Sequence, residues 1–216
     1  MIRRLKKKLY VFQWDRFDPV QTFVPLSSQP YSIFLDSSKA AHPLSCASYI
    51  CWHPFETIEC KDGRVTITNA EHQFTNAADP FQVERERLAL WGEDFKPQKN
   101  LPAFQGGAAG YFGYDLVRGL EKIPAIAEQN NQQDMCIGLY DKIIAFDHKN
   151  GTAHLLIRAE SEHEALTHKA HIEQLADGST PTFHETDIQW TTERDDESYK
   201  KDIQRVIDYI YAGDIF

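Results

Sequence analysis

The sequence predicts an α+β fold in which antiparallel sheets pack with helices. Three observations predict it. Apolar runs of strand length crowd most of the chain, two Xaa-Gly turn signals sit between such runs, and the helical stretches come without regular β-α alternation. With 216 residues, 42% of them apolar, the chain suits one large domain or a domain with part of another.

The elements follow in order. Arg3-Arg-Leu-Lys-Lys-Lys8 merges into Leu9-Tyr-Val-Phe12 and is read as the solvated start of a first strand rather than a nucleic-acid or membrane arm. Tyr31–Leu35 is a β-prone core strand, and Asp36-Ser-Ser38 ends it with turn chemistry. Ala47–Trp52 is the next strand. Thr57–Cys60 and Val65–Thr68 flank Asp62-Gly63, the positive-φ pair of a two-residue hairpin. Asp79-Pro-Phe-Gln82 opens a helix running to about Trp91, with Asp79 as N-cap, Pro80 at the first position and Gln82 closing a capping box.

The segment Phe104–Arg118 then gathers Gly106, Gly107, Gly110 and Gly113 among Tyr111, Phe112 and Tyr114. A phosphate-cradling loop would need a helix opening directly after the glycines, and no Gly-Lys-Ser/Thr occurs. The competing reading is a packed strand whose glycines let a neighbouring backbone or ring approach closely.

Beyond it, Cys136–Asp147 and Thr152–Arg158 flank a second hairpin signal, Asn150-Gly151. Ser161–Ala176 is helical with a thin stripe of Leu166, Ala170 and Leu175, and Gly178 marks its stop. Residues 179–191 read as a linker. The last helix places Tyr199, Ile203, Val206, Ile207 and Ile210 at helical spacing and ends at Gly213. The expected division is residues 1–178, the linker, and 192–216, the last being a helix whose apolar stripe needs a partner.

Composition excludes several functions. A net charge of −9 speaks against a nucleic-acid face, which needs clustered Lys and Arg. The basic start lacks the long apolar run and small-residue cleavage site of a signal peptide, and no run is long enough for a membrane span. Cys46, Cys51, Cys60 and Cys136 have no Cys-x-x-Cys spacing, so reduced thiols in a cytoplasmic protein are expected. His163, His168 and His171 sit on a charged stretch without a zinc-ligand pattern.

Three motifs carry a resemblance. Gln105-Gly-Gly-Ala-Ala-Gly-Tyr-Phe-Gly-Tyr-Asp115, Asp134-Met-x-x-Gly-x-Tyr-Asp141 with Asp147-His148, and Tyr199…Ile210-x-x-Gly-Asp-x-Phe216 resemble the large subunit of chorismate-using enzymes. That family includes anthranilate synthase component I and aminodeoxychorismate synthase component I. The short leader before Tyr31 and the wording of the glycine and Met-x-x-Gly-x-Tyr-Asp motifs are more similar to the aminodeoxychorismate branch. The resemblance implies the N-terminal domain of an anthranilate synthase component I-like fold. It also implies a complete enzyme that aminates chorismate with Mg²⁺ and with ammonia from a glutamine amidotransferase subunit.

By the same resemblance the catalytic acids and Mg²⁺ ligands lie in a C-terminal chorismate-binding domain. No catalytic or metal residue is then expected here, and 192–216 would be that domain's first helix, with the family continuing past Phe216. Family members also hold tryptophan against a serine that follows an apolar strand. That serine is Ser37, with Leu44, Ser45, Cys46 and Ala47 as a second wall. Leu44, Cys46 and Ala47 stand where relatives offer aromatic or basic side chains, and a Ser37 that only caps a turn is the competing reading. Anthranilate synthase component I and a non-enzymatic amino-acid-binding or docking module remain the functional alternatives.

Overall fold

The structure is a computed structural model that describes residues 7–37, 45–122, 132–178, 188–192 and 194–215. The chain divides into two compact units, Met1–Pro181 and Thr182–Phe216. The first is built on two five-stranded sheets, each antiparallel throughout. In one the order is β1 (Lys8–Gln13), β10 (Thr152–Ala159), β9 (Lys142–Asp147), β3 (Ala47–Cys51), β2 (Ile33–Leu35). In the other it is β6 (Gln73–Ala77), β5 (Arg64–Asn69), β4 (Glu56–Lys61), β8 (Met135–Tyr140), β7 (Gly107–Phe112). The predicted α+β class is the observed one.

The apolar run Cys136–Asp147, expected as one strand, serves both sheets: β8 closes at Tyr140, β9 opens at Lys142, and Asp141 lies between. The apolar character on either side of Asp141-Lys142 follows from burial on both faces. Ile144 and Phe146 join Ile50, Leu155 and Ile157 under two helices, α1 (Pro19–Leu26) and α3 (Glu162–Ala176). Ile143 and Ala145 join Cys51, Tyr140 and Leu156 on the opposite face. A strand covered on both sides loses the in-out alternation that would mark its register.

At the junction, Asp141 is 8% exposed. It is paired with Lys142 and with Lys7, whose Nζ donates to Oδ2 at 3.0 Å, while the Arg158 amide donates to its carbonyl at 2.7 Å. Burial alone pushes the Asp141 carboxyl up. The ammonium groups of Lys142 and Lys7 outweigh that and hold it below the usual carboxylate range.

The glycine segment is an edge strand packed against β8. A Cβ on Gly110, which has φ +153°, would lie 2.0 Å from the Cys136 carbonyl oxygen, and one on Gly113 would lie 2.7 Å from that of Asp134. Gly106 faces a different neighbour, since a Cβ there would meet the Trp91 ring at 2.7 Å. Gly107 makes only ordinary contacts with Leu88 and the same ring. Trp91 ends α2 (Pro80–Gly92) and stacks under the Arg158 guanidinium, 4.3 Å from the ring centre, while Arg158 Nη1 donates to the Trp91 carbonyl at 2.7 Å. One indole thus gathers the end of α2, the entry to β7 and a strand of the other sheet. Nearer its start, α2 is tied to β4 by Arg87, which clamps the buried carboxylate of Glu56 with both guanidinium branches.

Other expectations are corrected in detail. Helix α1 and strand β6 stand where none was expected; α1 opens with the same Asp-Pro signal as α2, Asp18 capping Gln21 N at 3.0 Å. The α2 capping box does not close. Asp79 accepts from Phe81 N and Gln82 N, but the Gln82 amide turns forward to Glu86. In α3 the buried face is Ala165, Ile172 and Ala176 with Leu175 beside it, whereas Leu166 and Ala170 are exposed. Asp62 and Gly63, at φ +48° and +72°, form the two-residue hairpin. The β9–β10 turn is longer, with Asp147 accepting from the amides of Lys149 and Asn150. Most of the expected linker lies outside the described residues. In the second unit, α4 (Asp196–Ala212) is capped by Asp195 and closed by Gly213 at φ +80°. Its Ile203, Val206 and Ile210 are exposed.

Two predictions follow from packing and charge. Gly110→Ala will lower the unfolding free energy by more than about 3 kcal/mol, because a backbone carbonyl cannot yield the space. Gly119→Ala, with nothing within 4 Å of the new Cβ, will shift it by less than about 0.5 kcal/mol. Urea denaturation reads both, and equal losses would refute the packing account. The depressed Asp141 pKa stabilises the fold above the carboxylate's unfolded value near 3.9, a contribution lost as pH falls through the lower folded value. Asp141→Asn should therefore cost about 2 kcal/mol at neutral pH and flatten the fall in urea midpoint below about pH 4.

Candidate functional site

The register of three strands brings the chemistry-bearing residues to one end of the β2-containing sheet. Leu35 pairs with Tyr49 and Ala47 pairs with Asp147. Continuing each ladder by one or two residues sets Asp36 and Ser37 opposite Ser48 and Ala47, and His148 opposite Cys46, where the His148 amide donates to the Cys46 carbonyl at 3.0 Å.

The ladder between β2 and β3 is completed there by side chains instead of backbone. Ser37 Oγ donates to the Ala47 carbonyl at 2.6 Å, and the Ser37 amide donates to Ser48 Oγ at 3.0 Å. Ser48 Oγ also lies 3.0 Å from Asp36 Oδ1 and 2.7 Å from His148 Nε2. Ser48 is fully buried, while Asp36 stands exposed at the rim. The Phe17 ring packs edge-on against both Phe146 and His148, at 6.0 and 5.8 Å.

Strand β2 is anchored at its start as well. Tyr31, left-handed at φ +52°, donates its hydroxyl to Glu59 Oε1 at 2.9 Å, and its carbonyl accepts from the buried Tyr140 hydroxyl at 2.7 Å. The strand that delivers Ser37 is thus fixed from the second sheet at one end and by the hub at the other. Burial pushes the Asp147 carboxyl up, but donation from the Asn150 backbone and side chain and from the Lys149 amide brings it below the usual range. It remains an anion beside the hub.

Of the wall expected around Ser37, Ala47 is half-buried and opposite it, and Ser45 and Cys46 lie just before; Leu44 lies outside the described residues. The Ser37 hydroxyl has given its hydrogen to Ala47, so to a ligand it offers lone pairs. It caps a strand end and keeps acceptor capacity at the same time. Gly106, Gly107, Gly110 and Gly113 stand elsewhere, in and around the edge strand of the other sheet. Sequence reasoning singled out Ser37 but missed Ser48 and its pairing with His148. The available signal was a polar residue at an inward position: Ser48 is two before the buried Ile50, and His148 two after the buried Phe146. Cys51 and Cys60 are buried, and burial pushes the Cys51 thiol up to about 12. Cys46 is exposed. Among the described residues no three His, Cys, Asp or Glu side chains are grouped to hold a metal ion, and no helix is long and apolar enough to cross a membrane.

This two-sheet α+β body is the class of domain found in the crystal structure of anthranilate synthase component I from Streptococcus pneumoniae TIGR4. The two agree with a TM-score of 0.57 at 21% identity over 84% of this chain and 46% of that one. The chain belongs to the chorismate binding enzyme family, whose model matches residues 30–216. Aminodeoxychorismate synthase component 1 of Escherichia coli (strain K12) is 32% identical over 197 residues, 90% of this chain and 42% of the relative. Anthranilate synthase component 1 of Thermus thermophilus is 27% identical over 221 residues, 100% of this chain and 46% of the relative. The chain spans less than half the length of these relatives.

The hub predicts a graded loss on truncation. Ser37→Ala removes one hydrogen bond and should cost about 1 kcal/mol, whereas Ser48→Ala strips three partners at a buried point and should cost about 2 kcal/mol or more. Denaturant unfolding of the two variants decides it, and the reverse order would refute the hub.

Proposed function

We propose that this chain is the N-terminal part of an aminodeoxychorismate synthase component I. The complete protein then aminates chorismate to 4-amino-4-deoxychorismate, on the way to para-aminobenzoate and folate, using ammonia from a glutamine amidotransferase subunit and Mg²⁺ in the cytoplasm. The observation that carries this is the family match over 30–216 together with 32% identity to the E. coli enzyme. Following the family resemblance, the metal and the acid-base groups of amination are assigned to the remainder of a longer protein, and residues 192–216 to the start of that catalytic part. The role left to the two-sheet body is scaffold and effector site. Ser37, an acceptor at a strand end, is proposed to hold tryptophan there.

Anthranilate synthase component I is the second reading, since T. thermophilus anthranilate synthase component 1 also matches along the whole chain, at 27% identity. Product analysis separates the two. Full-length protein with its amidotransferase, chorismate, glutamine and Mg²⁺ should form 4-amino-4-deoxychorismate, detected by mass and by conversion to para-aminobenzoate with a lyase. Formation of fluorescent anthranilate would overturn the assignment.

A further inference from the structure

We infer that Ser48 is the positioning residue of the Ser37 site, at the centre of a directed hydrogen-bond chain that runs from His148 Nε2–H to Ser48 Oγ–H to Asp36 and holds Ser37 to receive an ammonium group. This deepens the effector-site reading above and rests on it for the choice of probes.

The direction follows from counting hydrogens. Ser48 Oγ has three polar neighbours: the Ser37 amide at 3.0 Å, Asp36 Oδ1 at 3.0 Å and His148 Nε2 at 2.7 Å. A hydroxyl has one hydrogen and two lone pairs. The amide can only donate, so it takes one lone pair; a carboxylate only accepts, so it takes the hydrogen. A lone pair is all that remains for His148, whose Nε2 must therefore carry a hydrogen. Phe17 packs edge-on against the same ring.

Ser48, 0% exposed, thus has no valence left for a ligand. It acts through Ser37, whose amide it fixes. The Ser37 hydroxyl points its hydrogen at Ala47, so that hydroxyl offers no donor to an incoming carboxylate and an acceptor to an ammonium. The charge beside it has the same sense. Asp36 is one hydrogen bond from Ser48, and Asp147, opposite Ala47 in the ladder, stays ionised. A hub that served only to knit strand ends would affect stability and leave ligand discrimination untouched.

Calorimetry on the full-length protein with three indole probes tests this: L-tryptophan, tryptamine with only the ammonium, and indole-3-propionate with only the carboxylate. Tryptophan and tryptamine should bind, with indole-3-propionate at least about 10-fold weaker. Ser48→Ala should weaken tryptamine about 10-fold. His148→Gln, whose amide can still donate to Ser48, should stay within about threefold of the parent, while His148→Phe should not. Long-range ¹H–¹⁵N spectra of the unmutated protein should show a hydrogen on His148 Nε2.

An Nδ1–H tautomer, equal binding of indole-3-propionate and tryptamine, or His148→Phe matching His148→Gln would overturn the inference. Tryptamine binding without tryptophan binding would remove the tryptophan reading and leave this one standing. Binding of neither would remove both.

Discussion

The two-sheet body depends on one electrostatic constraint, the satisfaction of Asp141 where a single run of chain leaves one sheet for the other. A strand that changes sheets must bend between two cores, and the bend exposes peptide groups that neither ladder can pair. Here the Asp141 carbonyl is paired by Arg158 and its carboxylate by two lysines, one following directly and the other 134 positions earlier. That long-range pair also holds the approach to β1, the edge strand next to β10. Without the two lysines the switch point would bury an unpaired charge, which costs more than any single apolar contact gains.

Trp91 provides the complementary apolar joint. Its indole lies between the Gly106 backbone and the Arg158 guanidinium, so a helix of the second sheet is gripped by a strand of the first. Arg158 is suited to this because a guanidinium stacks on a ring face while donating in its own plane. Burial by itself lowers its affinity for a proton, and the carboxylates of Asp141 and Asp94 oppose that. Charge junction and aromatic joint share Arg158, whose amide serves one and whose side chain serves the other.

How much of this was legible in the sequence depends on whether the signal is local. Asp62-Gly63, Asp79-Pro80 and the stripe of α4 encode their structures within a few residues, and each appears where expected. The sheet switch at Asp141 was hidden because β8 and β9 are apolar on both faces, and the one break between them, Asp141-Lys142, is too short to read as a turn. Helix α1 has only eight residues and carries Pro25 inside it, so its helical period is weak, although the Asp18-Pro19 opening is the same as that of α2. The Ser37 hub needed the register of three strands. Ser48 and His148 stand 100 positions apart, and nothing near either one announces the other.

The crowding at Gly110 bears on how relatedness is inferred. Where a Cβ would coincide with a neighbour's carbonyl, all the other amino acids are excluded at once, so the position cannot drift while the fold survives. Spelling fixed in this way reports architecture and is silent about chemistry. Two descendants of one ancestor could aminate chorismate at different carbons and still spell this strand alike. A gene sorted into its pathway by the glycine segment alone would be sorted by the shape of its scaffold.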